Sequence, residues 1–161
     1  MEQKITSISY ANDITLITLS SLPSGKAVSQ VLTTFAESGI NVDMISQTAP
    51  QGGSVRLSFT VSDRDLGQAL TILGQLSGGD KSLSPEILPG NSKIVFFDAD
   101  MVNTPGVAAK VFSLLSGAEL QIMLVTTSDA DISILVSAHE AGDALHVMRN
   151  AFGVTPVEAE F

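Results

Sequence analysis

Hydrophobic and polar positions along the chain follow a strand–helix–strand–strand–helix grammar, and they follow it twice. ITLITL (14–19) is β-rich. Ala27, Val28, Val31, Leu32 and Phe35 then recur at helical spacing. Gly39 closes that run as a C-terminal glycine does. After INVDMISQ (40–47) and a turn at PQGG (50–53), Val55, Leu57, Phe59 and Val61 alternate with Arg56, Ser58 and Thr60. Period two with polar residues between predicts a half-buried strand. Ser62 and Asp65 have the spacing of a capping box. They predict a second helix with the apolar stripe Leu66, Ala69, Leu70 and Leu73.

The second half replays this. IVFFDA (94–99) reads as a strand, and Thr104 and Pro105 read as the cap and first residue of a helix carrying Val107, Val111, Phe112 and Leu115. QIMLVTT (121–127) and DISILVS (131–137) are the next strands. Ser137 and Glu140 repeat the capping-box spacing before a helix with Ala144, Leu145, Met148 and Phe152. FAESGINVDMIS (35–46) lies over LSGAELQIMLVT (115–126) at an offset of 80, and LSFTVSDRDLGQALTIL (57–73) over ISILVSAHEAGDALHVM (132–148) at 75. Five residues are lost at the turn of Pro50, Gly52 and Gly53. A closing strand near 84–88 and near 154–160 completes βαββαβ in each copy. The prediction is α+β, two tandem ferredoxin-like units, 1–80 and 81–161. ITSISY (5–10) is expected as an extra N-terminal strand within 4–10, and 78–92 as a linker with one short strand.

Composition narrows the function classes. Only 16% of the 161 residues are charged, against about 25% in ordinary domains. The net charge is −9, with eight scattered bases, which argues against binding a phosphate backbone. Cys is 0, so thiolate metal sites, disulfides and Cys nucleophiles are excluded. No apolar run approaches the roughly 18 residues of a membrane span, and MEQKITSISY lacks the apolar core of a signal peptide. A cytoplasmic protein is expected. The mean hydropathy of +0.32 points to apolar surface covered by another subunit.

Catalytic constellations are thin. His139 and His146 share a face of the last helix without further ligands, so no metal site is predicted. No Walker or G-x-S-x-G motif occurs, and no cofactor or catalytic residue is assigned. The glycine-bearing loops say more. LPSGKA (22–27) and NTPGV (103–107) each lead into a helix, whose N-terminal amides favour a carboxylate. In INVDMISQ, strand parity puts Asn41, Asp43 and Gln47 on one side and Val42 and Met44 on the other. An acid and two amides beside a helix N-terminus would hold the two ends of a free amino acid. In the second copy the matched residues are Gln121, Met123 and Thr127, so the acid is lost there.

Residues 101–153, with a Pro-Gly-Val-Ala-Ala helix start and a Thr-Ser-Asp hairpin before an Ile-Ser-Ile strand, resemble the second ACT domain of aspartokinase. FAESGINVDMISQ and the Phe-Thr-Val strand resemble the first. The resemblance covers roughly 4–153. It implies a regulatory module without the kinase domain, similar to the separately made small subunit of some bacteria. It implies binding of lysine or threonine where the first ACT domain of one chain meets the second of a homodimeric partner, and control of a kinase domain or subunit. Carried over, the ligand-facing positions are Ser24, Gly25 and Ala27 in the loop, Asn41, Asp43 and Gln47 on the strand, and Gln121 and Ile122 across the interface. Asn103, Pro105, Gly106 and Val107, with Ser128 and Asp129, would line a companion position. The family's first loop usually reads Asp-x-Pro-Gly, where this chain has Gly25 and Lys26. The alternative is a structural dimerisation module with a degenerate ligand site.

Overall fold

The computed structural model describes residues 3–78, 83 and 85–160. The expected grammar is present: β1 (Ser7–Pro23), α1 (Lys26–Glu37), β2 (Ile45–Gln47), β3 (Ser54–Ser62), α2 (Leu66–Ser77), β4 (Pro85–Phe97), α3 (Val107–Gly117), β5 (Leu124–Thr127), β6 (Asp131–Ser137), α4 (Ala138–Phe152) and β7 (Val157–Glu158). Part of the expected linker, residues 79–82 and 84, lies outside the described residues.

The chain divides at 12/13 and 90/91 rather than at 80/81. The first unit is Asp13–Gly90, and the second combines the described residues up to Asn12 with those from Asn91 onward. The cause lies in two long strands. ITSISY is no separate strand but the beginning of the 17-residue β1, and 85–92 is not linker but the beginning of the 13-residue β4. Asp13 (φ 57) and Gly90 (φ 72) sit at the two crossing points in the left-handed region, where a strand kinks without ending.

Within the first unit the strand order is β2-β3-β1-β4. β1 pairs antiparallel with β3 from Ile14↔Ser62 to Pro23↔Ser54, and β2 pairs antiparallel with β3 from Ile45↔Phe59 to Gln47↔Leu57. Within the second unit the order is β7-β1-β4-β6-β5. Its strand beside β4 is therefore supplied by β1, not by residues 154–160. The two-residue β7 adds outside it, parallel to Ser9 and Tyr10.

Each unit has its own core, and the cores repeat. Val31, Phe35, Phe59, Val61, Ala69 and Leu73 are buried in one. Val111, Leu115, Ile134, Val136, Ala144 and Met148 occupy the matching places in the other. The pairs keep the offsets of 80 and 75, so the repeat is one of packing as well as of pattern. Two stripe assignments shift. Leu70 is 48% and Phe112 38% exposed, while Ile72 and Ala141 are buried.

The caps differ from the sequence expectation. Ser62 and Asp65 form no capping box: α2 begins at Leu66 after a 3-10 turn, with no side-chain cap bond. Asp63 faces the sheet instead, accepting the Thr15 hydroxyl and the Gly90 N–H. Thr104 and Pro105 precede α3 rather than begin it, because the N-cap is Gly106. Ser137 donates its hydroxyl to Glu140 Oε2 at 2.8 Å and accepts no amide bond.

Candidate functional site

α1 and α3 both start on a glycine with positive φ, Gly25 (φ 77) and Gly106 (φ 94), and neither has a side-chain cap. No acid stands in the first turn of either helix. The first amides of an α-helix have no partner within it and carry the positive end of its dipole. Both helices therefore present bare N-termini at the ends of their strands.

In the first unit the acid and amides do not meet that N-terminus. Pro23 pairs with Ser54, and the Ser24 amide reaches Gly53 O at 3.0 Å, so the loop of Ser24, Gly25 and Ala27 stands at the start of β3. Asp43 N donates to Thr60 O at 3.0 Å. From Ser54 to Thr60 is six residues, about 20 Å of strand. Asn41 and Asp43 are thus at the far end of the sheet from Gly25. Gln47, opposite Leu57, lies between. The predicted parity holds: Asn41, Asp43 and Gln47 are exposed while Met44 is buried. Ile45, 45% exposed, shares their face.

In the second unit Gly106, Val107, Ser128 and Asp129 line an open cleft of about 290 Å³. Gly106, Val107 and Ala108 form one wall at the start of α3, and Thr127, Ser128 and Asp129 form the facing hairpin. Met101, Val102 and Ile132 supply an apolar lining. Asn103 and Pro105 shape the loop without lining the cleft. Asn103 Nδ2 donates to Asp100 Oδ1 at 2.7 Å.

Hydrogen bonding sorts the hairpin residues. The Ser128 hydroxyl donates to Asp131 and accepts from Ala130 N (3.2 Å) and Asp131 N (3.1 Å). A hydroxyl has one donor and two lone pairs, so Ser128 is committed to the turn and contributes only its bulk to the cleft. The exposed Asp129 has no such role. Lys110, one turn into α3, lies over the Phe152 ring at 4.7 Å and donates to Gln3 O at 3.3 Å. The cleft thus brings the start of α3 and an acidic residue, Asp129, to the same space, a pairing of chemistries that suits a zwitterion.

Met101, Val102 and Ile132 are absent from the residues read off the sequence. Their signal was the apolar Met-Val pair in an otherwise polar loop. The sequence pattern marks Glu140 only as a cap. Its Oε1 accepts the Gln121 amide at 3.0 Å, and this bond, with the Ser137 hydroxyl, holds its carboxyl below the usual carboxylate range. No group of three or more His, Cys, Asp or Glu among the described residues could hold a metal. No helix among them is long and apolar enough to cross a membrane.

Gly106 carries the strictest local requirement. A Cβ there would come within 2.6 Å of Gln3 Nε2, the movable end of a side chain, but φ would remain at 94°. Left-handed backbone costs an L-residue about 1–2 kcal/mol. Gly106→Ala is expected to lower the melting temperature by about 2–8 °C in a calorimetric scan.

Residues 26–78 and 97–152 each match the ACT domain family. The aspartokinase of Bacillus sp. (strain MGA3) is 30% identical over 155 residues, 94% of this chain and 38% of that protein. The crystal structure of aspartate kinase from Synechocystis superposes with a TM-score of 0.90 at 25% identity, over 100% of this chain and 29% of that one. The ligand-free regulatory subunit of aspartate kinase from Thermus thermophilus superposes with a TM-score of 0.82 at 28% identity, over 92% of this chain and 98% of that one. This chain therefore spans about two fifths of the length of the curated relatives it matches, and nearly all of the regulatory subunit. It belongs to the ACT-domain family, as two tandem ACT domains of the type found in the regulatory region of aspartokinases.

Proposed function

We propose that the chain is an allosteric amino-acid sensor for an aspartate kinase catalytic domain or subunit, with lysine or threonine as effector. The carrying observation is the second-unit cleft, with the α3 N-terminus opposite Asp129. The α-carboxylate of the effector sits on the helix amides, and its ammonium faces Asp129. The first-unit site works differently. Its loop and its Asn41–Gln47 strand are separated along β3, so each supplies half of a site that a second copy completes, with Gln121 and Ile122 contributed across that interface. The same separation is what a structural dimerisation module with a degenerate site would contain.

Regulation is then linkage: an effector that prefers one arrangement of the copies biases the kinase by typically 1–3 kcal/mol. A thermal-shift titration of the isolated protein with each of the twenty amino acids decides between the readings. Lysine or threonine is expected to raise the melting temperature in proportion to the logarithm of its concentration above Kd. A flat response to all twenty leaves the dimerisation module.

A further inference from the structure

We infer that Glu140 is a positioning residue for the effector: its carboxylate fixes the main chain of Gln121 and Ile122 in the pose that a bound amino acid meets. This rests on the reading of those two residues as ligand-facing. The chain around Gln121 is held on both sides. Leu120 N donates to Leu115 O at 3.1 Å, closing α3, and Met123 N donates to Leu135 O at 2.8 Å, beginning the ladder with β6. Between them Gln121 is exposed, and its amide donates to Glu140 Oε1 at 3.0 Å. Glu119, two residues before it, has φ 59, so the connection turns sharply here and its direction depends on its anchors. Glu140 stands on the first turn of α4, and the Ser137 hydroxyl holds its other oxygen at 2.8 Å. One carboxylate thus joins the helix start to the turn. A hydrogen bond to an ionised acceptor is roughly twice as strong as one between neutral groups.

The other repeat lacks this tether. Glu140 matches Asp65, one methylene shorter, whose carboxylate lies 3.8 Å from Arg64. The first unit ties its helices together through Gln68 Nε2 on Ser38 O at 2.9 Å, before the ligand strand rather than on it. The tether is therefore no general requirement of the fold, and it belongs to the copy whose strand residue, Gln121, has no acid of its own.

The test uses the full chain with Glu140→Ala, Glu140→Gln and Ser137→Ala, titrated calorimetrically with lysine and with threonine. Gln121 amide exchange is read by NMR without ligand. Glu140→Ala is expected to speed that exchange at least tenfold and to raise Kd about tenfold, the worth of one hydrogen bond to a charged group. Glu140→Gln keeps a carbonyl acceptor and is expected to recover most of both. Ser137→Ala leaves the Gln121 bond in place and is expected to raise Kd less than Glu140→Ala does. An unaltered Kd in Glu140→Ala, or an equal loss in Ser137→Ala, overturns the positioning role while the site stands. A wild-type protein silent to both amino acids overturns the site and the positioning role together.

Discussion

Truncation of Phe59 to alanine is expected to cost about 3–5 kcal/mol. Phe59 is fully buried at the centre of β3, and its ring meets that of Phe35 on α1 edge-on, with centroids 5.1 Å apart at 80°. β3 lies between β2 and β1 in the first unit, so the ring's position joins sheet and helix. Removing it deletes the aromatic pair and leaves a cavity in the core that it shares with Leu57 and Ala69. The fall in melting temperature is about 6–20 °C. Phe59→Leu, which nearly conserves volume, should cost under about 1.5 kcal/mol. Denaturant titration of both variants checks this, and a loss below about 1 kcal/mol in the alanine variant would remove Phe59 from the centre of that core.

Such a residue was legible in the sequence because strand alternation and the offset of 75 both select it: Phe59 matches Ile134, and both are fully buried. What periodicity could not reveal is where a strand passes from one unit to the other. ITSISY and ITLITL look like two strands because Ala11, Asn12 and Asp13 interrupt the apolar pattern. In the fold that interruption is a kink at Asp13 within one strand. The same holds at Gly90 in β4. The candidate site divides along a similar line. The glycine loops before each helix start are read from local residues, whereas Asp129 enters the candidate site only through the family resemblance. Which acid faces which helix depends on strand register, which is long-range. Parity correctly placed Asn41, Asp43 and Gln47 on one face, but parity says nothing about position along the strand. Register puts Asp43 opposite the Thr60 end of β3 and Gly25 near Ser54. The acidic residue that shares a cleft with a helix N-terminus within one unit is in the second copy, where strand matching offers no acid.

On the proposed reading, effector binding turns on Asp129. Of the polar side chains around the cleft, the Ser128 hydroxyl is spent on the hairpin and the Thr104 hydroxyl donates to Asp100 O at 3.0 Å. The α3 amides provide for an anion, and Met101, Val102 and Ile132 are apolar. Among the described residues that line the cleft, Asp129 alone carries negative charge for the ammonium of an amino acid. Its loss leaves the ammonium facing apolar side chains and hydroxyls, without a charged acceptor. Asp129→Ala is therefore expected to raise the effector Kd by about 10–100-fold, the range for a hydrogen bond to a charged group. The fold should be unaffected, since Asp129 is exposed at a hairpin tip whose turn is held by Ser128 and Asp131. Asp129→Asn keeps size and acceptor but not charge, and is expected to fall between. Calorimetric titration of the three proteins with lysine and threonine, beside their unchanged melting temperatures without ligand, measures this. Equal affinity in all three would move the ammonium out of this cleft and leave the anion-binding helix end as its sole polar function.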